Sequence, residues 1–111
     1  MGIRSQVGIA LKADIAEEIL KAHPWVKDES DEQHSSEEGC LFIFDDIKWY
    51  VLDDPEIAAL YNDLMVKPDS FLIREACPEY PDSEDGNIGE WDDNPWDLRK
   101  HVSVELIYEG E

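Results

Sequence analysis

The chain has 111 residues, which suits one domain with one hydrophobic core. It carries 28 Asp and Glu against 9 Lys and Arg, a formal charge of -19, where small soluble domains sit at a magnitude of roughly 2–8. That field disfavours direct contact with DNA, RNA or anionic lipid, and a 42% hydrophobic share places the acidity on a folded body rather than in a disordered chain.

Residues 5–12, SQVGIALK, put Val7, Ile9 and Leu11 on one face at period two and predict a strand. Gly8 and Ala10 on its other face are small, as beneath a packed helix. Ala13 to Ala22 predicts a helix. Ile15, Ala16, Ile19 and Leu20 form its apolar stripe, and Pro24 marks its end. Residues 27–39, KDESDEQHSSEEG, read as a mobile acidic loop holding Asp28, Glu29, Asp31, Glu32, Glu37 and Glu38. CLFIF (40–44) and IKWYV (47–51) predict two strands joined by a hairpin at Asp45-Asp46, with Trp49 in the core.

The strongest local signal comes next. Asp54 is placed to cap a helix, Pro55 suits its first position and Glu56 its first turn. Ile57, Leu60, Tyr61, Leu64 and Met65 then recur at helical spacing up to the stop near Pro68. SFLIRE (70–75) predicts a strand. A long loop follows, EYPDSEDGNIGEWDDNPWD, and HVSVELIYE (101–109) alternates as a final strand.

The order is β-α-β-β-α-β, then an acidic loop, then β. It predicts an α+β fold with a ferredoxin-like antiparallel sheet, both helices on one face, and an extra C-terminal strand. The sheet's other face is expected to stay partly open to solvent.

The segment from Glu79 to Asp97 holds Glu79, Asp82, Glu84, Asp85, Glu90, Asp92, Asp93 and Asp97 with no base, and also Tyr80, Trp91 and Trp96. A calcium loop is the first chemistry to weigh. With Gly86 at the invariant sixth position, the first ligand position falls on Pro81, which has no side-chain oxygen. His23, His34 and His101 are scattered and make no zinc spacing with Cys40 or Cys77. No metal site and no cofactor is therefore expected. No nucleophile elbow or phosphate loop is present, and no catalytic residue is assigned. A hydrolase using paired carboxylates stays open as the lesser alternative, because among 28 acids some pair falls close by chance and Trp91 beside Glu90 and Asp92 offers the apolar wall that raises a general acid's pKa.

Two readings of the charge compete. The acids form a solubilising coat, or they imitate phosphates and occupy the groove of a basic nucleic-acid-binding protein. A chain of this size exposes on the order of 6,000 Å², about one net charge per 330 Å², against about one per 100 Å² on duplex DNA. Mimicry therefore requires clustering. The candidate partner-binding residues are Asp28, Glu29, Asp31, Glu32, Glu37 and Glu38 from the first block. Asp82, Glu84, Asp85, Glu90, Asp92, Asp93 and Asp97 come from the second. Trp91 and Trp96 are either interface anchors or pins that hold the loop to the sheet.

The stretch MGIRSQVGIALKADIAEEIL has no long apolar core or cleavage signal. No apolar run approaches the ~20 residues of a membrane span. With two thiols outside any motif, the expectation is a cytoplasmic protein with reduced cysteines and no membrane partner. A homodimer or accessory protein that associates through the open sheet face is the alternative to the inhibitor.

LFIFDDIKWY and FLIREACPEYPDSEDGN are similar to uncharacterised phage families with an FxxxxIKWY strand and an FIRxxE strand followed by acids. The similarity covers about half the chain and is structural, so it carries over no functional residue. By composition alone the chain resembles the DNA-mimic anti-restriction and anti-CRISPR inhibitors of phages. That resemblance implies a non-enzymatic inhibitor acting in a host cytoplasm.

Overall fold

The computed structural model describes residues 5–49, 54–77 and 88–102, with the backbone alone at 99. In chain order the elements are β1 (Ser5–Lys12), α1 (Ala13–Ala22), α2 (Trp25–Asp28), β2 (Glu32–Ser35), β3 (Gly39–Ile47), α3 (Pro55–Leu64) and β4 (Phe71–Ala76). Short 3-10 turns cover Pro68–Ser70 and Leu98–Lys100. The strands form one antiparallel sheet in the order β2-β3-β1-β4. The fold is mixed α+β.

Both main helices follow from local chemistry. The α1 stripe turns Ile15, Ala16 and Ile19 inward. In α3 the Asp54 side chain accepts from the Glu56 and Ile57 amides at 2.9 and 3.4 Å, Pro55 opens the first turn, and Ile57, Leu60 and Leu64 are buried. They pack on one sheet face, against Val7, Ile9, Leu11, Phe42, Phe44, Phe71 and Ile73.

Two predicted elements are corrected. The stretch expected to be a mobile acidic loop contains α2 and the edge strand β2. Glu32–Ser35 is EQHS, with no apolar residue to announce a strand, yet it pairs from Glu32↔Ile43 to Ser35↔Cys40. The hairpin expected at Asp45-Asp46 does not form, because β3 runs through it to Ile47; Lys48 and Trp49 of the predicted strand 47–51 belong to no strand, and 50 and 51 lie outside the described residues. Ser5 faces Ile47 and Val7 faces Phe44, so β3 spends one extra residue there. That is a β-bulge, which lets two exposed aspartates sit in a strand without turning it. The Asp45 amide is held by Asp31 Oδ2 at 2.8 Å. The turn that does form spans residues 36–38, and Ala13 donates to Glu38 O at 2.9 Å. Trp49, as expected, is in the core.

The second sheet face is not open. Ile88 exchanges both backbone hydrogen bonds with Ile73, each at 2.7 Å, along the free edge of β4. The chain then crosses the face. Trp91, Leu98 and Val102 are buried against Ala10, Leu41, Ile43, Leu72 and Ala76. The buried Arg74 donates from Nε to Val102 O at 2.7 Å, and the His101 ring reaches that of His34 on β2, with centroids 5.2 Å apart. Of the predicted last strand, His101 and Val102 belong to the turn after Leu98–Lys100, and 103–109 lie outside the described residues.

Gly8 is required by this cover. A Cβ there would stand 2.8 Å from Val102 Cγ2. Its smallness was read correctly from sequence, but the element above it is a 3-10 turn on the face away from α1 and α3.

Substituting Gly8→Ala is expected to cost about 1–3 kcal/mol through overpacking, read from urea unfolding. Val102→Ala in the same chain should relieve part of that cost, giving a coupling of about 0.5 kcal/mol or more. Purely additive costs would mean that the two sites do not touch. Asp54→Ala should cost about 1 kcal/mol by uncapping α3, with a matching fall in the urea midpoint.

Candidate acidic interface

One acid from each acidic block meets the other at the β2–β3 turn. Ser36 and Glu38 from that turn and Asp93, Pro95 and Trp96 from the crossing segment line one shallow trough. Both walls are held by local bonds. On one side Ser36 donates to Gly39 O at 2.9 Å, and Ser36 Oγ accepts from the Glu38 amide at 3.2 Å. On the other, Asn94 and Asp97 take positive φ, 38° and 46°, a region that Asn and Asp tolerate best among residues with a Cβ. Asn94 Oδ1 accepts from the Leu98 amide at 3.1 Å. Trp91 and Trp96 meet edge to face with centroids 6.2 Å apart.

Glu37, Glu38, Asp92 and Asp93 are exposed, and none makes a side-chain hydrogen bond or ion pair among the described residues. Their charge is uncommitted among the described residues. Three neighbours are partly used. Asp31 accepts the Asp45 amide, Glu32 lies 3.1 Å from His34 Nε2, and Asp97 lies 3.9 Å from Lys100 Nζ. Glu90 is exposed beside Trp91, and its amide donates to Pro68 O at 2.6 Å.

Other candidates lie apart. Asp28 ends α2. Glu29 lines a second cleft with Trp25, Asp46, Asp54 and Glu56. Sequence reasoning missed this cleft, because its acids come from three separate segments and Asp46 was read as part of a turn. Asp82, Glu84 and Asp85 lie outside the described residues. Trp91 is only 4% exposed and serves as a pin. Trp96, half-buried, is the aromatic that reaches the trough.

The acids give little material for proton transfer. Every described Asp and Glu is exposed except Asp54 and Glu75. Asp54 caps α3, and Glu75 accepts from Ser5 Oγ at 2.7 Å. Among the described residues, no group of three or more His, Cys, Asp or Glu could hold a metal ion. Cys40 packs half-buried against the helix-side core, as expected of a strand residue. No helix of the described residues is long and apolar enough to cross a membrane.

One titratable group is perturbed, on the helix side. Burial lifts the Tyr61 phenol above its usual 10.0. The hydrogen bond from Trp49 works against this, and the Glu75 charge adds to it. Trp49 Nε1 donates to Tyr61 Oη at 3.1 Å. A folded pKa above the unfolded one leaves this stabilising contribution whole below pH 10.0 and removes it as pH rises through the folded value. The stability gap between the wild type and Tyr61→Phe should therefore narrow as pH climbs past about 10, measured by urea midpoints. A constant gap would contradict the buried neutral phenol.

Comparison with protein-family models, curated proteins and solved structures yields no match to this chain.

Proposed function

We propose that this chain is a non-enzymatic inhibitor. It presents clustered carboxylates in place of phosphates and binds a basic nucleic-acid-binding protein, of the host-defence or DNA-processing kind. One observation supports the reading: Glu38 of the first block and Asp93 of the second, far apart in sequence, line one trough, and neither they nor their neighbours Glu37 and Asp92 make a side-chain bond among the described residues. Clustering is what mimicry requires, because the average charge of such a domain is about threefold more dilute than that of duplex DNA. Like charges held together cost stability through self-repulsion, and a cationic partner repays that cost. Trp96 in the same trough offers an aromatic face to an arginine or lysine.

The two alternatives lose ground on specific observations. Association through the second sheet face lacks its surface, because Trp91, Leu98 and Val102 occupy it. A carboxylate hydrolase needs an acid walled in apolar surroundings, and the two half-buried acids already have structural duties. The sheet is best described as ferredoxin-like. The β-α-β-β-α-β order, with α2 as an added turn, and the strand order β2-β3-β1-β4 support that description.

The test uses the DNA-cellulose-binding fraction of a bacterial lysate, passed over the immobilised chain. Capture should fall about tenfold or more between about 0.1 and 1 M salt, and added duplex DNA should release the bound protein. Reversing Glu37, Glu38, Asp92 and Asp93 together to lysine should abolish capture, with unchanged circular dichroism. Retention that resists both salt and competing DNA would overturn the proposal.

A further inference from the structure

The helix side carries a second surface of different character. Between α1 and the C-terminal end of α3 lies a groove of about 190 Å³, whose apolar lining is Ile15, Ile19, Ala22 and Val66. Small-molecule sites run to about 300–1,000 Å³, so this groove has room for one large side chain rather than a ligand. The large hydrophobics most exposed among the described residues are Met65, Val66 and Ile88. Two of these stand at the C-terminal end of α3, and Val66, 77% exposed, lines the groove.

The rim carries charge. Glu18 is exposed and makes no bond among the described residues. Asp63 gives one oxygen to His23 Nε2 at 2.6 Å, yet its side chain remains 53% exposed. Lys67 is the rim's cation. Two carboxylates thus flank an apolar slot on a chain of net charge -19. A second copy of the same chain would bring the same charge, and like-charge juxtaposition opposes it.

We propose that this groove docks a basic amphipathic segment of a partner protein. One apolar side chain enters between Ile19 and Val66, and flanking lysines or arginines pair with Glu18 and Asp63. Apolar anchors with a charged surround are how helical segments sit in grooves. The seat is separate from the acidic trough, so it stands or falls independently of the mimicry reading.

The probe is a synthetic amphipathic helix made only of leucine and lysine, compared with the same peptide carrying alanine in place of leucine. Binding is read by fluorescence anisotropy. The leucine peptide should bind about tenfold tighter, a difference of about 1.4 kcal/mol. Val66→Asp should erase that preference even though it adds a negative charge, which by itself would strengthen binding of a cation. Ala22→Asp serves as the second variant should Val66→Asp disturb folding. Lysine reversal of Glu37, Glu38, Asp92 and Asp93 should weaken both peptides and leave the preference intact. A leucine preference that survives both groove variants would overturn the proposal. So would sedimentation showing a dimer of the chain that Val66→Asp dissociates.

Discussion

The contact that orders the molecule is the one between Gly8 and the side chains of Leu98 and Val102. β1 is the inner strand between β3 and β4, and it is buried on both sides. Val7, Ile9 and Leu11 face the helices, and Gly8 and Ala10 face the crossing segment. Because Gly8 has no side chain, Val102 comes within 2.8 Å of where a Cβ would stand. That approach draws residues 91–102 flat across the sheet. It carries the described part of the second acidic block, residues 90–97, across the sheet, so that Asp93 comes to line one trough with Glu38 of the first block. Gly89 helps launch the crossing. Its φ of 103° turns the chain against Phe71 O, which a Cβ would strike at 2.2 Å.

Elements with a strong local signal were legible in the sequence. α1 and α3 lie where their stripes and the Asp54 cap put them, except that Met65, expected in the α3 stripe, stands just past Leu64 and is exposed. β2 was not legible. An edge strand with few inward contacts needs no apolar alternation, and charged edges also deter pairing with other chains. The strand end at Asp45-Asp46 was misread because a bulge and a tight turn use similar residues. The covered second face did have a signal. VGIAL, LFIF and FLI are apolar at successive positions, and such runs point to strands buried on both sides. Alternation within β1 alone suggested one buried face, whereas Leu41, Ile43 and Leu72 required a second.

The candidate site was legible by composition and not by geometry. Both acidic blocks were visible, but their juxtaposition depends on the crossing segment, a long-range feature that no local spacing encodes. Trp91 and Trp96 show the same division. Their presence among acids was plain, and the fold decides which one faces inward. Trp91 takes the core, and Trp96 stacks edge-on against it at the trough.

Pinning also bears on energetics. A disordered acidic tail pays its ordering entropy when it binds. Here residues 92–97 are held by the Asn94 bonds, by Trp91 and by the Leu98 and Val102 packing, so that cost falls on folding instead. The folded domain then carries the repulsion of fixed carboxylates at all times, which the two-sided core must outweigh. The same repulsion guards the apolar groove between α1 and α3. A chain of charge -19 resists meeting its own copies, so an exposed Val66 is tolerable where a neutral domain would risk self-association. High net charge and a partly exposed apolar seat are therefore compatible features. Under the proposed docking, the same charge favours a cationic partner over a second copy of the chain.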